Sequence, residues 1–409
     1  MTDRSTGRPA CTKATGLQSH RIGWQAPKVI LECTVIYLDH NATTLPFPEA
    51  IDAMLPWLHH CGNPSSIHAT GREARRAVEA ARHSVAEYLG AEAQQVIFTS
   101  GATEANNTAI HSALLRQPSK RHLITSSVEH SAVLAYCDYL EQHHGVEVTR
   151  LPVGIDGSLP MDALRNALRD DTALVSLMWA NNETGVMWPI SEFTKVCVEA
   201  GVPFHTDAVQ AVGKVPVQFA TCGANYLSLS GHKFGAPKGI GALIVADPER
   251  FMPLLHGGKQ EQGHRGGTEN VAHIVALGAA AEQSKLQGRT RWERVAKLRD
   301  QLEVRVAQRF PEAEAHGVTV LRLPNTSNLY FPGMDSDALV TYLDAQGIAV
   351  SSGSACLESA LAPSHVILAM TDSYERASES IRISLGPAST NEEVQRLVDA
   401  VEIYATLNA

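Results

Sequence analysis

The sequence predicts an α/β protein, with a mostly parallel sheet covered by helices and a smaller α+β domain beside it. Three observations predict this. From Glu49 onward, stretches with apolar residues at helical spacing alternate with short, almost wholly apolar segments, as strands buried on both faces of a sheet require. Several of these apolar segments run directly into small and polar turn residues, where loops carry function. After Thr268 the character changes, and a long helical pattern over 271–305 leads into a sheet-like stretch over 318–331.

Residues before Val35 include charged ones but no continuous apolar run, so 1–34 reads as a poorly ordered extension, a targeting segment being the other reading. Apolar residues repeat at helical spacing over 72–89. Strand segments follow at 95–100, 122–126, 146–151 and 173–178, then at the apolar run ending in Asp207, at the run before Lys233, and at 241–245. The boundary falls near Ala281, inside the long helical pattern. It gives a large domain, 49–281, and a small one made of 35–48 and 282–409.

With 409 residues, 44% of them hydrophobic and 19% charged, the chain can bury a large core. A net charge of -9 without a dense Lys/Arg run speaks against a nucleic-acid or anionic-membrane partner, and no apolar stretch reaches the length of a membrane span. Seven cysteines lie scattered without a C-x-x-C pair. That usage argues against a zinc site or a disulfide framework and fits a reducing cytoplasm.

One stretch concentrates chemistry: Ser228-Leu229-Ser230-Gly231-His232-Lys233-Phe234-Gly235 places a lysine at a strand end among small turn residues. A partly desolvated amine there has a lowered pKa and can attack a carbonyl, as pyridoxal phosphate (PLP) chemistry requires. An isolated loop lysine would be ordinary surface charge, but Asp207 ends a neighbouring apolar strand and would keep a pyridine nitrogen protonated. Ser100-Gly101-Ala102-Thr103 lies between a strand and a helical run, where backbone N–H groups and the Thr103 hydroxyl converge on an anion. His130 would stack on the ring and shuttle protons, and the stretch Asn181-Asn182-Glu183-Thr184-Gly185 after an apolar strand would supply an amide to the phenolic oxygen. Each residue alone reads more simply as a cap, a turn or a hydrogen-bonded histidine.

These motifs, with Tyr37-Leu38-Asp39-His40-Asn41-Ala42-Thr43-Thr44 before them, resemble the cysteine desulfurases, class V aminotransferases of fold type I, from Tyr37 to Leu397. The resemblance implies a seven-stranded-type sheet in the large domain and a Schiff base between Lys233 and PLP. Asp207 would pair with the pyridine nitrogen, Asn182 and Gln210 with the phenolic oxygen, and Ala102, Thr103, Ser230 and His232 with the phosphate. Thr268 would complete the phosphate site of a neighbouring subunit in a homodimer. Asn41 and Arg382 would bind substrate, the latter as a fork on its carboxylate.

Cys356, in Ser351-Ser352-Gly353-Ser354-Ala355-Cys356, matches the family's nucleophile, and its Ser/Gly-rich surroundings suggest an accessible loop. By composition alone it would be a small core cysteine. The resemblance implies that Lys233 removes the Cα proton of L-cysteine, Cys356 takes its sulfur as a persulfide, and L-alanine leaves, with a protein sulfur acceptor or iron–sulfur scaffold downstream. Cys356 is followed by Leu357-Glu358-Ser359, where the family more often has small polar residues, and Gly386 by Pro387 instead of arginine. Selenocysteine lyase, which shares fold and cofactor, is the rival reading, and a non-catalytic partner-binding relative is a third.

Overall fold

The computed structural model describes residues 35–353 and 363–408. Its centre is a seven-stranded sheet of β2 (Val96–Thr99), β3 (His122–Ser126), β4 (Glu147–Leu151), β5 (Thr172–Met178), β6 (Phe204–Asp207), β7 (Tyr226–Ser230) and β8 (Gly241–Val245). The spatial order is β2-β8-β7-β6-β5-β3-β4, and only β8 runs against its neighbours. Every residue of β2, β3, β5, β6, β7 and β8 is buried, as strands covered on both faces of a sheet are. The edge strand β4 is partly exposed and mixes Glu147, Thr149 and Arg150 into its run.

Two smaller sheets lie outside this one. β1 (Ile36–Tyr37) pairs in parallel with β11 (Ile348–Ala349), and β12 (Ser380–Ser384), β10 (Thr326–Tyr330) and β9 (Glu314–Ala315) form an antiparallel trio. The sheet-like stretch expected over 318–331 is shorter than its pattern suggested. Residues 316–320 turn, and the strand starts only at Thr326. Gly317 adopts a positive φ of 71° with a Cβ position only 2.5 Å from Val186, and Pro324 has no N–H to give a ladder. This segment contributes one isolated bridge, Val186 with Arg322.

The long helical pattern is a single helix, Val271–Arg309, 39 residues and so about 58 Å long. Its first turns bury Ile274, Leu277 and Ala281 in the core that includes the helix Ala69–Leu89. Its later turns bury Val295, Leu298, Leu302 and Val306 in a second core with Ile36, Leu38, Leu329, Ile381 and Val398. The partition is not clean, because Leu323, Val366, Ile367 and Met370 pack into the first core. Among the described residues no helix is long and apolar enough to cross a membrane.

Candidate active site

A cavity of about 740 Å³ opens at the carboxyl ends of the parallel strands, the side of an open α/β sheet where ligands bind. Asn41, Ala102, Thr103, His130, Asn182, Asp207, Gln210, Ser230, His232, Lys233 and Arg382 all line it. Residues spread over 341 positions of sequence therefore share one chamber, because each follows a strand that ends on the same face or belongs to a segment packed across it.

Lys233 ends a short 3-10 turn after β7 and donates to the backbone oxygens of Asn41 at 2.5 Å and Ala42 at 2.8 Å. Burial first, and then the Arg382 guanidinium, bring its pKa down to about 8, against the opposing pull of Asp39 and Asp207. The amine is accordingly a much better nucleophile at neutral pH than an ordinary lysine. Asp207, at the end of β6, accepts from Asn106 Nδ2 at 2.7 Å and Val209 N at 3.0 Å, which aims the carboxylate. His130 caps the helix Ser131–His144 by accepting from Ala132 N at 3.1 Å through Nδ1. A neutral ring therefore carries its proton on Nε2. Burial, followed by Lys233 and His365, lowers its pKa despite the attraction of Asp207, although solvent reaches the ring through the cavity.

The residues fit PLP. The helix Ala102–Arg116 begins at Gly101 with no side-chain cap, so its first N–H groups face the cavity beside Thr103, Ser230 and His232 as an anion cradle. The approach is tight: a Cβ on Gly241 would come within 2.8 Å of the Gly101 Cα. Burial, then Lys233, holds His232 at a pKa of about 4, so it meets an anion as a neutral imidazole. Two buried polar atoms lining the cavity lack any protein partner, Asn182 Oδ1 and Arg382 Nε. Buried groups of this kind call for a ligand.

Arg382, in β12, is 2% exposed and not the surface ion pair its sequence context also allowed. It donates to Asp39 Oδ1 at 2.7 Å and to the Asn182 backbone oxygen at 3.2 Å. Asn41 holds the floor beneath it, donating from Nδ2 to Asn182 O at 3.1 Å and Thr326 Oγ1 at 2.9 Å. Asp39, Asn106 and Lys214 are the site residues the sequence did not assign. Asn106 and Asp39 sit inside motifs already singled out, and Lys214 follows Gln210 by one turn, a spacing that puts both on one face.

Cys356 lies outside the described residues, as do Ser354 and Ala355. The flanks are described. Ser351 pairs with Arg382 across an isolated bridge, and a Cβ on Gly353 would be 2.8 Å from Glu183 Oε2, which accepts from Ser364 Oγ. The near flank thus stands beside Arg382, and both flanks stand beside the buried Glu183 carboxylate. Thr268 is exposed and does not line this chain's cavity.

The family model for class-V aminotransferases matches residues 36–397. A cysteine desulfurase of Cereibacter sphaeroides is 50% identical over 368 residues, 90% of this chain and 94% of its own length. The chain belongs to the class-V aminotransferases, among the cysteine desulfurases. Cysteine desulfurase NifS of Azotobacter vinelandii is 46% identical over 90% of this chain and 91% of its own. Among solved structures, a NifS-like protein superimposes with a TM-score of 0.85 at 33% identity, covering 91% of this chain and all of that one. SspA in complex with cysteine gives 0.76 at 35% identity over 87% of this chain. The one-antiparallel-strand sheet of seven is the fold type I core that the motifs predict.

Proposed function

We infer that this desulfurase uses PLP held by Lys233, Asp207, Gln210, Asn182 and the cradle of Ala102, Thr103, Ser230 and His232, and converts L-cysteine to L-alanine with the sulfur left on Cys356. The observation that carries the reading is the shared chamber of a depressed-pKa lysine, a buried carboxylate and an arginine with an unpartnered Nε. PLP, when bound, supplies the electron sink that lets bonds at the Cα and Cβ of an amino acid break. Arg382 binds the substrate carboxylate as a second acceptor beside Asp39, and Asn41 fixes the backbone oxygens around Lys233 Nζ. The freed amine of Lys233 takes the Cα proton, and His130 Nε2 stands ready to return one.

The Cys356 thiolate then attacks the substrate sulfur. An S–S bond forms, the substrate C–S bond breaks, and its electron pair stays with the carbon that becomes the methyl group of alanine. The other described thiols are unsuited to this. Burial pushes Cys137 and Cys197 up to about 12 and raises Cys222, and Cys61, though exposed, does not line the cavity. The reading extends to a homodimer whose Thr268 completes the partner's phosphate site, to a protein sulfur acceptor, and to a cytoplasmic setting. The test loads purified apoprotein with PLP and follows alanine from L-cysteine with a thiol reductant present. Parent protein should turn yellow and make alanine, whereas Lys233→Ala should still admit PLP but make no alanine. A parent that takes up no PLP overturns the reading.

A further inference from the structure

Lys214 is a second amine buried in this site, and the reaction above does not use it. It is 4% exposed, and among the described residues no carboxylate pairs with it. Lys233 and Arg382 stand close enough to add repulsion to the cost of its burial, and His40 feels its charge from the other side. Burial, followed by Lys233 and Arg382, holds its pKa well below the usual lysine value, and a buried amine kept in a site without a counter-charge is a candidate for function.

Its hydrogen bonds say which. Nζ donates to Gln210 Oε1 at 2.5 Å and to Asn41 Oδ1 at 2.9 Å. Even as a neutral amine Nζ has two N–H donors, and both are aimed at amide oxygens, so each amide presents its oxygen to the lysine. Asn41 has a second restraint, because Asn325 Nδ2 also donates to its Oδ1, at 3.0 Å. Among the described residues, Gln210 Oε1 has only Lys214 as a donor. With that oxygen held, the Nε2 end is left to the cavity side, where it reaches the Asn41 backbone oxygen at 3.0 Å.

We propose that Lys214 is a positioning residue that locks the Gln210 amide with its NH2 toward the cavity, so that Gln210 donates to the phenolic oxygen of PLP instead of presenting an oxygen to it. This rests on the PLP reading above. Without the lock the amide can invert, and two oxygens would then face each other.

A donor on the phenolic oxygen favours the bound form with one proton fewer, so losing it raises the pH midpoint of the visible band of the PLP-loaded protein. Lys214→Met keeps the apolar stem and removes the donor. It should raise that midpoint by about 0.5–1 pH unit and weaken PLP binding by roughly tenfold, both measured by absorbance titration on the full chain. Gln210→Leu should produce a shift of the same sign, and adding Lys214→Met to it should shift the midpoint little further. If Lys214→Met does not fold, Lys214→Leu carries the same cycle. Equal shifts with and without Gln210 would mean that Lys214 acts through its own charge, and no shift that it only packs. Either result overturns the proposal. A parent protein with no visible band would instead refute the PLP reading.

Discussion

At the residue scale, the chemistry rests on the pKa of Lys233 and on the thiol of Cys356. In the PLP reading we propose, Lys233 would have to be unprotonated to capture the cofactor, and burial together with Arg382 brings it down to about 8. The sign follows directly: below pH 8 the free amine falls about tenfold per unit, and above it the amine is nearly all free. The rate at which apoprotein captures PLP should therefore rise steeply from pH 6 and level off above about 8. A rate still climbing at pH 10 would show an ordinary lysine. Cys356 permits a sharper separation. Selenium leaves easily, so its elimination does not need an enzyme thiol, whereas extraction of sulfur does. Cys356→Ala should lose alanine formation from L-cysteine, keep substantial activity on L-selenocysteine, and bind PLP as the parent does. Mass spectrometry of parent protein treated with cysteine and no reductant should find one additional sulfur on the Cys356 peptide. Equal cysteine turnover by Cys356→Ala would falsify the persulfide route.

At the scale of elements, the segment leading to Thr268 is pinned by a buried ion pair. Arg82, in the helix Ala69–Leu89, holds Glu261 through two hydrogen bonds of 2.8 and 2.7 Å, and Phe98 N of β2 donates to the same carboxylate at 2.8 Å. Glu261 and Gln262 both adopt positive φ, 47° and 58°, in conformations costly for residues with side chains. A second clamp, Arg265 Nε on Glu104 Oε1 at 3.0 Å, ties the segment to the first turn of the anion-binding helix. Arg82→Met leaves Glu261 buried and unpaired, and it should cost about 3–5 kcal/mol of stability, read by denaturant unfolding. PLP retention should fall with it, since Glu261 anchors the segment whose Arg265 is tied to Glu104 of the cradle helix.

For the whole molecule, the exposure of Thr268 outside its own cavity matters most. In the homodimer we propose, each site is completed by the partner's Thr268. A hybrid of one Lys233→Ala chain and one Thr268→Ala chain then has one doubly altered site and one intact site. Such hybrids should regain about half of parental turnover per dimer, although Lys233→Ala alone is inactive and Thr268→Ala alone retains PLP poorly. Hybrids no more active than a simple mixture of the two homodimers would rule out the shared site. We propose the division into 49–281 and 35–48 with 282–409, with Val271–Arg309 contributing side chains to both apolar cores. Limited proteolysis should spare that helix.

The sequence by itself determined the α/β class, the buried strands and most of the chamber. Buried parallel strands need continuous apolar runs, and the residues after them must be small or polar to meet a phosphate and a ring, so both signals are local. The end of the sheet signal was misjudged at 318–325 because the apolar pattern does not register that Gly317 and Pro324 break a ladder. Only the tertiary structure decided that Arg382 is buried against Asp39, that Asn106 aims Asp207, and that Lys214 faces Gln210 and Asn41. Those are pairings between side chains as far apart as 343 positions, as with Asp39 and Arg382. Spacing along a chain carries no information about such partners. What brings them together is the closing of two cores against one sheet edge, where each buried charge must find a donor or acceptor wherever the packing puts one.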